Sequence, residues 1–311
     1  MKKKYLTPLL FLSIAALTVS CTDEGDENVN PIMSGIEQFI DAGGDTAYYP
    51  AGFTISDIPE ERTIRTGLVV FGPDGSEFVW VPTTRTPLQV RDFGSYYFGD
   101  SIYSYWDDAR QSIYQAMVQS VERYGGFYMG RYEASYGSGN NVRNYVPASK
   151  PVTPSQSGRI WVRFSPQDAT EVCQHIYSYH ESVQGFFPWG INWDTMLQWL
   201  IDSGCKTYDE VAVNSASWGN YSDDPFSPGA GSNYTGAYEE AKANNIYDLA
   251  GNNWEWTQER YGSSDYVMRG GGSTIMGGGA SGSAYPAAIR NPLPGNSHHP
   301  NVCFRVGLFL K

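Results

Sequence analysis

Asn245-Ile246-Tyr247-Asp248-Leu249-Ala250-Gly251-Asn252-Asn253-Trp254-Glu255-Trp256-Thr257 is the stretch on which the reading of this 311-residue chain turns. Trp254 and Trp256 alternate around Glu255, so at least one of them faces a core. Two further short stretches follow in order, Val267-Met268-Arg269-Gly270-Gly271 and Cys303-Phe304-Arg305-Val306. Three such boxes in a fixed order over about a fifth of a chain are a far more specific signal than one short motif. From Trp218 onward glycine, asparagine, serine and aromatic residues dominate, with little helical periodicity. Gly270–Gly272 and Gly277–Gly279 lack the Gly-Lys-Ser/Thr continuation and strand-to-helix setting of a phosphate loop, and read as tight backbone turns.

Upstream, Val69-Val70-Phe71 and Glu77–Pro82 flank the turn Gly72-Pro73-Asp74-Gly75 and predict a hairpin. Asp107–Tyr124 places Ala109, Ile113, Ala116, Met117, Val121 and Tyr124 at helical spacing, ended by Gly125-Gly126. Phe127–Glu133 alternates as a strand. A second helix is predicted from Ser165, a plausible N-cap before Pro166, to about Tyr179, with Val172, Cys173, Ile176 and Tyr177 as its apolar stripe. A third, short one carries Trp193, Met196, Leu197, Leu200 and Ile201 on one face and stops at Gly204. Nothing marks a second domain or an internal repeat.

The boxes resemble those of the formylglycine-generating-enzyme (sulfatase-modifying factor) family: DLxGNxWEWT, RGGS and a terminal GFR. Glu77–Pro82 and Phe127–Glu133 resemble that family's FVWVP and FYMGKYE segments. The resemblance implies an α+β, C-type-lectin-like (formylglycine-generating-enzyme-like) fold, with small antiparallel sheets, a few helices and much irregular loop. Such a fold supports both catalysis and plain binding, so it decides no activity by itself. The family's oxygenase chemistry needs two cysteine thiolates holding Cu(I), a soft-ligand ion. Carried over without gaps, their positions are Ile275 and Ala280, which cannot ligate copper. The resemblance also implies a structural calcium on Asp248, Gly251, Asn253 and Glu255, two side-chain and two main-chain oxygen donors. The competing reading gives Asp248 and Glu255 ordinary turn and strand hydrogen bonds, and no cofactor is required. Phe187–Leu200 and Ser217–Tyr221 resemble a bacterial and phage subgroup of ligand-binding variable proteins, and replace the LPTEAEWE-like segment common in the enzymes.

The N-terminus reads as a processed leader. Lys2–Lys4 precede the apolar run Leu9–Val19, too short to span a bilayer, and Leu17–Cys21 resembles a bacterial lipobox. Residues 1–20 are then a signal peptide, Cys21 is the lipidated residue and membrane tether, and the protein is an outer-membrane lipoprotein exposed at the cell surface. Thr22–Glu27 is either a solvated acidic spacer or, by resemblance to Bacteroidetes lipoproteins, a surface-export signal. Residues 21–62, with Gly43-Gly44 and Pro50 as breakers, are read as leader and linker, and 63–311 as the domain. Losing residues 1–20 removes three lysines and takes the formal charge from −12 to −15. So acidic a chain, without a basic cluster, excludes nucleic acid as a partner. Cys173, Cys205 and Cys303 show no CxxC spacing, which argues against zinc. One disulfide among them or buried free thiols both fit an exported protein.

The segment between Gly272 and Cys303 decides function. Around Pro286-Ala287-Ala288-Ile289-Arg290-Asn291, which resembles a PAA–RN core of related proteins, it scatters Ser273, Thr274, Ile275, Gly277, Gly278, Ile289, Leu293, Pro294, Gly295, Ser297, His298, His299 and Asn301. Each of these residue types is reachable from an asparagine codon by changing adenines alone, which resembles the variable region of retroelement-diversified proteins; ordinary loop divergence is the alternative. The candidate ligand contacts are Ser273, Thr274, Ile275, Tyr285, Ile289, Leu293, Ser297, His298, His299 and Asn301. Tyr285 is equally a packing partner for Pro286, and His298-His299, lacking a carboxylate triad, read as a solvated loop pair. The function expected is a non-enzymatic, surface-anchored binding protein for a protein or glycan. The alternatives are an oxidoreductase relative with an altered site or a structural component of a surface assembly.

Overall fold

The hairpin at 69–82 lies within the larger sheet of the computed structural model, which describes residues 35–94, 108–134, 160, 162–223, 235–275 and 278–311. Its elements in chain order are β1 (Ile36–Ile40), β2 (Thr46–Pro50), β3 (Thr54–Ile55), β4 (Val69–Phe71), β5 (Glu77–Pro82), α1 (Asp108–Tyr124), β6 (Gly126–Gly130), α2 (Pro166–His175), β7 (Val183–Phe186), α3 (Gly190–Asp202) and α4 (Tyr208–Ala212). There follow β8 (Lys242–Ala243), β9 (Ile246–Tyr247), β10 (Trp254–Tyr261), β11 (Asp265–Arg269), β12 (Thr274–Ile275), β13 (Gly278–Gly279), β14 (Asn291–Pro294), β15 (Val302–Cys303) and β16 (Gly307–Leu310). The fold class is α+β.

The larger sheet has the order β3-β4-β5-β6-β16-β7, and its neighbouring pairs are antiparallel. Both of its faces are covered, so alternate residues enter two different cores. Phe78 and Trp80 join Val70, Tyr128 and Leu308 on one side. Val79 and Val81 join Met129, Phe309, Met117 of α1 and Met196, Leu197 and Leu200 of α3 on the other. Trp80 meets Tyr128, its partner in register, edge-on with centroids 5.0 Å apart. Trp80, Trp193, Trp254, Trp256 and Phe304 are all buried.

The second sheet, β14-β11-β10-β15, is built from the three boxes. β10 pairs antiparallel with β11 and parallel with β15, so Glu255 has Arg269 on one side and Cys303 on the other. Stretches spread along the sequence thus become adjacent strands.

Local expectations need three corrections. The strand expected over 127–133 ends at Gly130, although Arg131 still donates its backbone N–H to Glu77 O and its guanidinium to Glu61 and Glu77. The Ser165/Asp168 capping box starts α2 as expected, but the helix stops at His175, since Tyr177 takes φ 52° while still packing in the core. The linker expected over 21–62 is folded from residue 35. β1 and β2 form a hairpin, β3 edges the larger sheet, and Ala47 and Phe53 are buried in its core. Gly43-Gly44 punctuate a hairpin turn, a role that residue type alone does not separate from a linker. One compact unit runs from Ile32 to Lys311. The expected signal peptide, lipidation site Cys21 and acidic spacer lie outside the described residues, and no described helix is long and apolar enough to cross a membrane.

Candidate binding face

The first box folds into a buried polar knot. Gly251 sits at φ +74°, where a Cβ would collide with the Asn220 backbone, so the turn requires glycine. Asp248, at φ 59°, accepts from Gly236 N at 2.6 Å and from Thr235 Oγ1 at 3.3 Å. Glu255 accepts from Arg305, from Nη2 at 2.6 Å and Nε at 3.1 Å, a bidentate pair. The same guanidinium donates to the carbonyls of Gly130 and Tyr247, which ties the third box to both sheets. Glu133 accepts from Asn252 Nδ2 and Asn253 N.

Three carboxylates therefore share the environment of one guanidinium. Burial, reinforced by the charges of Asp248 and Glu255, raises the Glu133 carboxyl well above its ordinary range. Burial likewise raises Glu255, and lifts Asp248 to about 6. Calcium fits this donor set poorly: both Glu255 oxygens are held by Arg305, and Asp248 braces the turn at 235–236. Here Asp248 makes turn hydrogen bonds, and the Glu255 carboxylate is an ion pair with Arg305. Among the described residues no three His, Cys, Asp or Glu side chains group to hold a metal.

Cys303 Sγ lies 3.6 Å from Glu133 Oε1 in the same knot, and burial pushes its thiol well up, as it does that of Cys173. Both favour the neutral thiol over the thiolate a soft metal needs. Cys173, Cys205 and Cys303 are unbridged. Ala280, at one carried-over copper position, is buried; the Ile275 side chain lies outside the described residues.

The second box contributes to a cluster that sequence reading missed. Arg269 donates to Asp194 at 2.7 Å and Glu259 at 3.0 Å. Arg290 donates to the other oxygens of the same two carboxylates, each at 2.6 Å. All four side chains are fully buried, and the charges cancel. Asp194 stands on α3, Glu259 on β10, Arg269 on β11 and Arg290 just before β14, so the quartet clamps the second sheet to the helix. The flanking segment is held as firmly: Ala287 O accepts from Trp193 Nε1, Ala288 N donates to Val211 O, and Ile289 O accepts from Arg269 Nε. Gly271, at φ +71°, passes so close to Tyr285 O and Tyr221 that a side chain has no room.

Over this rigid base the candidate contacts divide. Thr274, Leu293 and His299 come together at the rim of a pocket of about 70 Å³ whose walls include Trp254, Met268 and Val302. Asn301 Nδ2 donates to Thr274 Oγ1 at 2.6 Å, bracing that rim. His298 is exposed, 3.1 Å from Arg163 O, and Ser297 is half-buried. Tyr285 packs edge-on against Trp254 with centroids 5.4 Å apart, so its packing role is real. Ile289 and Leu293 are half-buried against the core, serving it as well as the surface. Ser273 is a correction. It is buried, and both its N–H and its hydroxyl donate to Asn252 O, which makes it a brace for the first box.

No protein-family model and no curated protein sequence matches this chain. Among solved structures, it is similar to Treponema denticola variable protein 1 at 12% identity and a TM-score of 0.42, over 59% of this chain and 84% of that one. It is similar to CarF at 14% identity and a TM-score of 0.43, over 76% of this chain and 100% of that one. The corresponding figures for PvdO from Pseudomonas aeruginosa are 12%, 0.45, 76% and 95%. Likenesses this distant say nothing of activity.

Proposed function

We propose that the protein is a non-enzymatic binding lipoprotein, with a lectin-like scaffold that presents the segment from Thr274 to Asn301 to a protein or glycan at the cell surface. The observation that carries this reading is the division of labour within that segment. Its constant-looking residues, Arg290 and Ala287–Ala288, are locked into the core, whereas Thr274, Leu293 and His299 remain partly accessible around one small pocket and the adjacent His298 is exposed. Variable loops on a fixed frame are where recognition concentrates. The alternation of codon-accessible residue types with fixed ones supports retroelement diversification of the same positions. The absence of a cysteine pair at Ile275 and Ala280 supports a non-catalytic role; conversion of a sulfatase-peptide cysteine to an aldehyde by the purified protein would overturn it.

Substituting alanine at Thr274, His298 or His299 should move stability by no more than about 0.5 kcal/mol, and at half-buried Leu293 by about 1 kcal/mol. The same changes should alter or abolish capture of the cell-surface ligand, since a few central residues usually dominate an interface. Thermal melts paired with binding of labelled protein to target cells test this. Unfolding by the three polar-site variants, or unchanged binding by all four, places the ligand site elsewhere.

Lipidation at Cys21 belongs to the same proposal. Cys21→Ala should shift the protein from the membrane to the soluble fraction and eliminate incorporation of labelled palmitate. Retention of both membrane association and label would refute the anchor.

A further inference from the structure

The β1–β2 hairpin, the turn at 64–66, the segment after β5 and the end of α3 enclose a second cavity, remote in sequence from the proposed binding segment. Its inner compartment, about 220 Å³, is lined by Ile64, Pro82 and Trp199 on the apolar side and by Arg65, Arg85 and Thr84 among the polar groups. Beside it a more open compartment of about 580 Å³ adds Arg62 and Phe39. Asp45, Arg65 and Arg85 belong to both, so the two form one cleft of the size that small ligands occupy.

The charges of this cleft are unevenly committed. Asp41 spends its carboxylate on three backbone N–H groups, those of Gly43, Asp45 and Ile64. Asp202 accepts from Thr86 Oγ1 and Gln198 Nε2. The arginines are less engaged. Among the described residues Arg65 donates only to Ser203 O, through one Nη, and Arg85 reaches only Asp45, also through one Nη. A guanidinium carries five N–H donors, so both keep most of their capacity. In the Arg85–Asp45 pair Arg85 is exposed and Asp45 half-buried, with side-chain accessibilities of 68% and 34%, and so solvated a pair exchanges readily for another anion. Arg62 is already oriented, stacked 5.2 Å from the Phe39 centroid and donating to Ser56 O. Three guanidinium groups around one apolar-floored cleft, with their carboxylates largely occupied, stand out in a chain of net charge −12.

We infer that this cleft binds a small anionic ligand: a compact body with an apolar face toward Ile64, Pro82 and Trp199, and a carboxylate or sulfate held by Arg65 and Arg85. Planar forked donors suit such oxyanions, and the committed aspartates leave little to attract a cation.

The test is isothermal titration of the intact protein with D-glucuronate, glucose 6-sulfate and neutral glucose. Saturable binding of at least one charged sugar is expected, with glucose weaker by roughly tenfold or more, as loss of a charge-assisted contact implies. Preference for glucuronate assigns the carboxylate, and preference for the sulfate ester assigns sulfate. Arg65→Gln and Arg85→Gln should each weaken binding by roughly tenfold with an unchanged melting temperature, and Arg65→Lys should recover part of the loss. Leu293→Ala, in the proposed binding segment, should have no effect, which keeps this site distinguishable from that one. Equal binding of glucose, no saturable binding of either charged sugar, or full affinity in both glutamine variants overturns the proposal.

Discussion

Arg290→Leu should destabilise the protein by about 3–5 kcal/mol, because it leaves Asp194 and Glu259 buried with one guanidinium between them. That is a large share of the roughly 5–15 kcal/mol that holds a folded domain together, so the variant should be mostly unfolded at modest urea. The decisive measurement is a double-mutant cycle. Glu259→Leu alone should be comparably damaging, but Arg290→Leu with Glu259→Leu should cost clearly less than the two single losses added, since the double change leaves Asp194 paired with Arg269. Additive losses would mean that the four groups do not act as a unit. Arg269 and Arg290 are therefore read as structural residues.

Stability should also fall as pH rises from about 4 to about 7. Asp248 is held near 6 in the folded state, chiefly by burial, against about 3.9 in an unfolded chain. A raised carboxyl contributes its full stability below the unfolded value and loses it as pH climbs through the folded one. Two units of difference correspond to about 3 kcal/mol lost over that window, and Glu133, raised in the same direction, adds to it. Asp248→Asn keeps an acceptor for Gly236 N and tolerates the positive φ, so it should flatten the profile and raise stability at neutral pH. A structural calcium would behave otherwise. It would neutralise the surplus carboxylate charge, make stability at pH 7 sensitive to EDTA, and turn Asp248→Asn into a loss. Melts across pH, with and without chelator, separate proton from cation. A flat profile that responds to EDTA would reinstate calcium at this knot.

Much of the fold was legible because it rests on local rules. The 69–82 hairpin follows from two apolar runs across a Gly-Pro-Asp-Gly turn. Helix α1 follows from three- and four-residue spacing, and the start of α2 from Ser165 and Pro166. Burial of Trp193, and of at least one of Trp254 and Trp256, was legible too, since large apolar groups have few alternatives to burial. The linker was misread because glycine and proline mark a hairpin turn and a flexible tether alike. Only pairing of β3 with β4, and burial of Ala47 and Phe53, distinguishes the two.

The candidate face divides along the same line. Sequence by itself determined which segment was the candidate face, and that it lacks a thiolate pair at Ile275 and Ala280, because these are properties of residue type and order. Tertiary structure alone decided what each position does. Ser273 and Thr274 are neighbours, yet one braces Asn252 and the other lines the pocket rim. Asp194 and Glu259 carry no local signature, and their role exists only because α3, β10, β11 and the chain before β14 bring four charges within 3.0 Å contacts of one another. Side-chain chemistry is written locally, whereas burial and pairing depend on residues far apart in the chain.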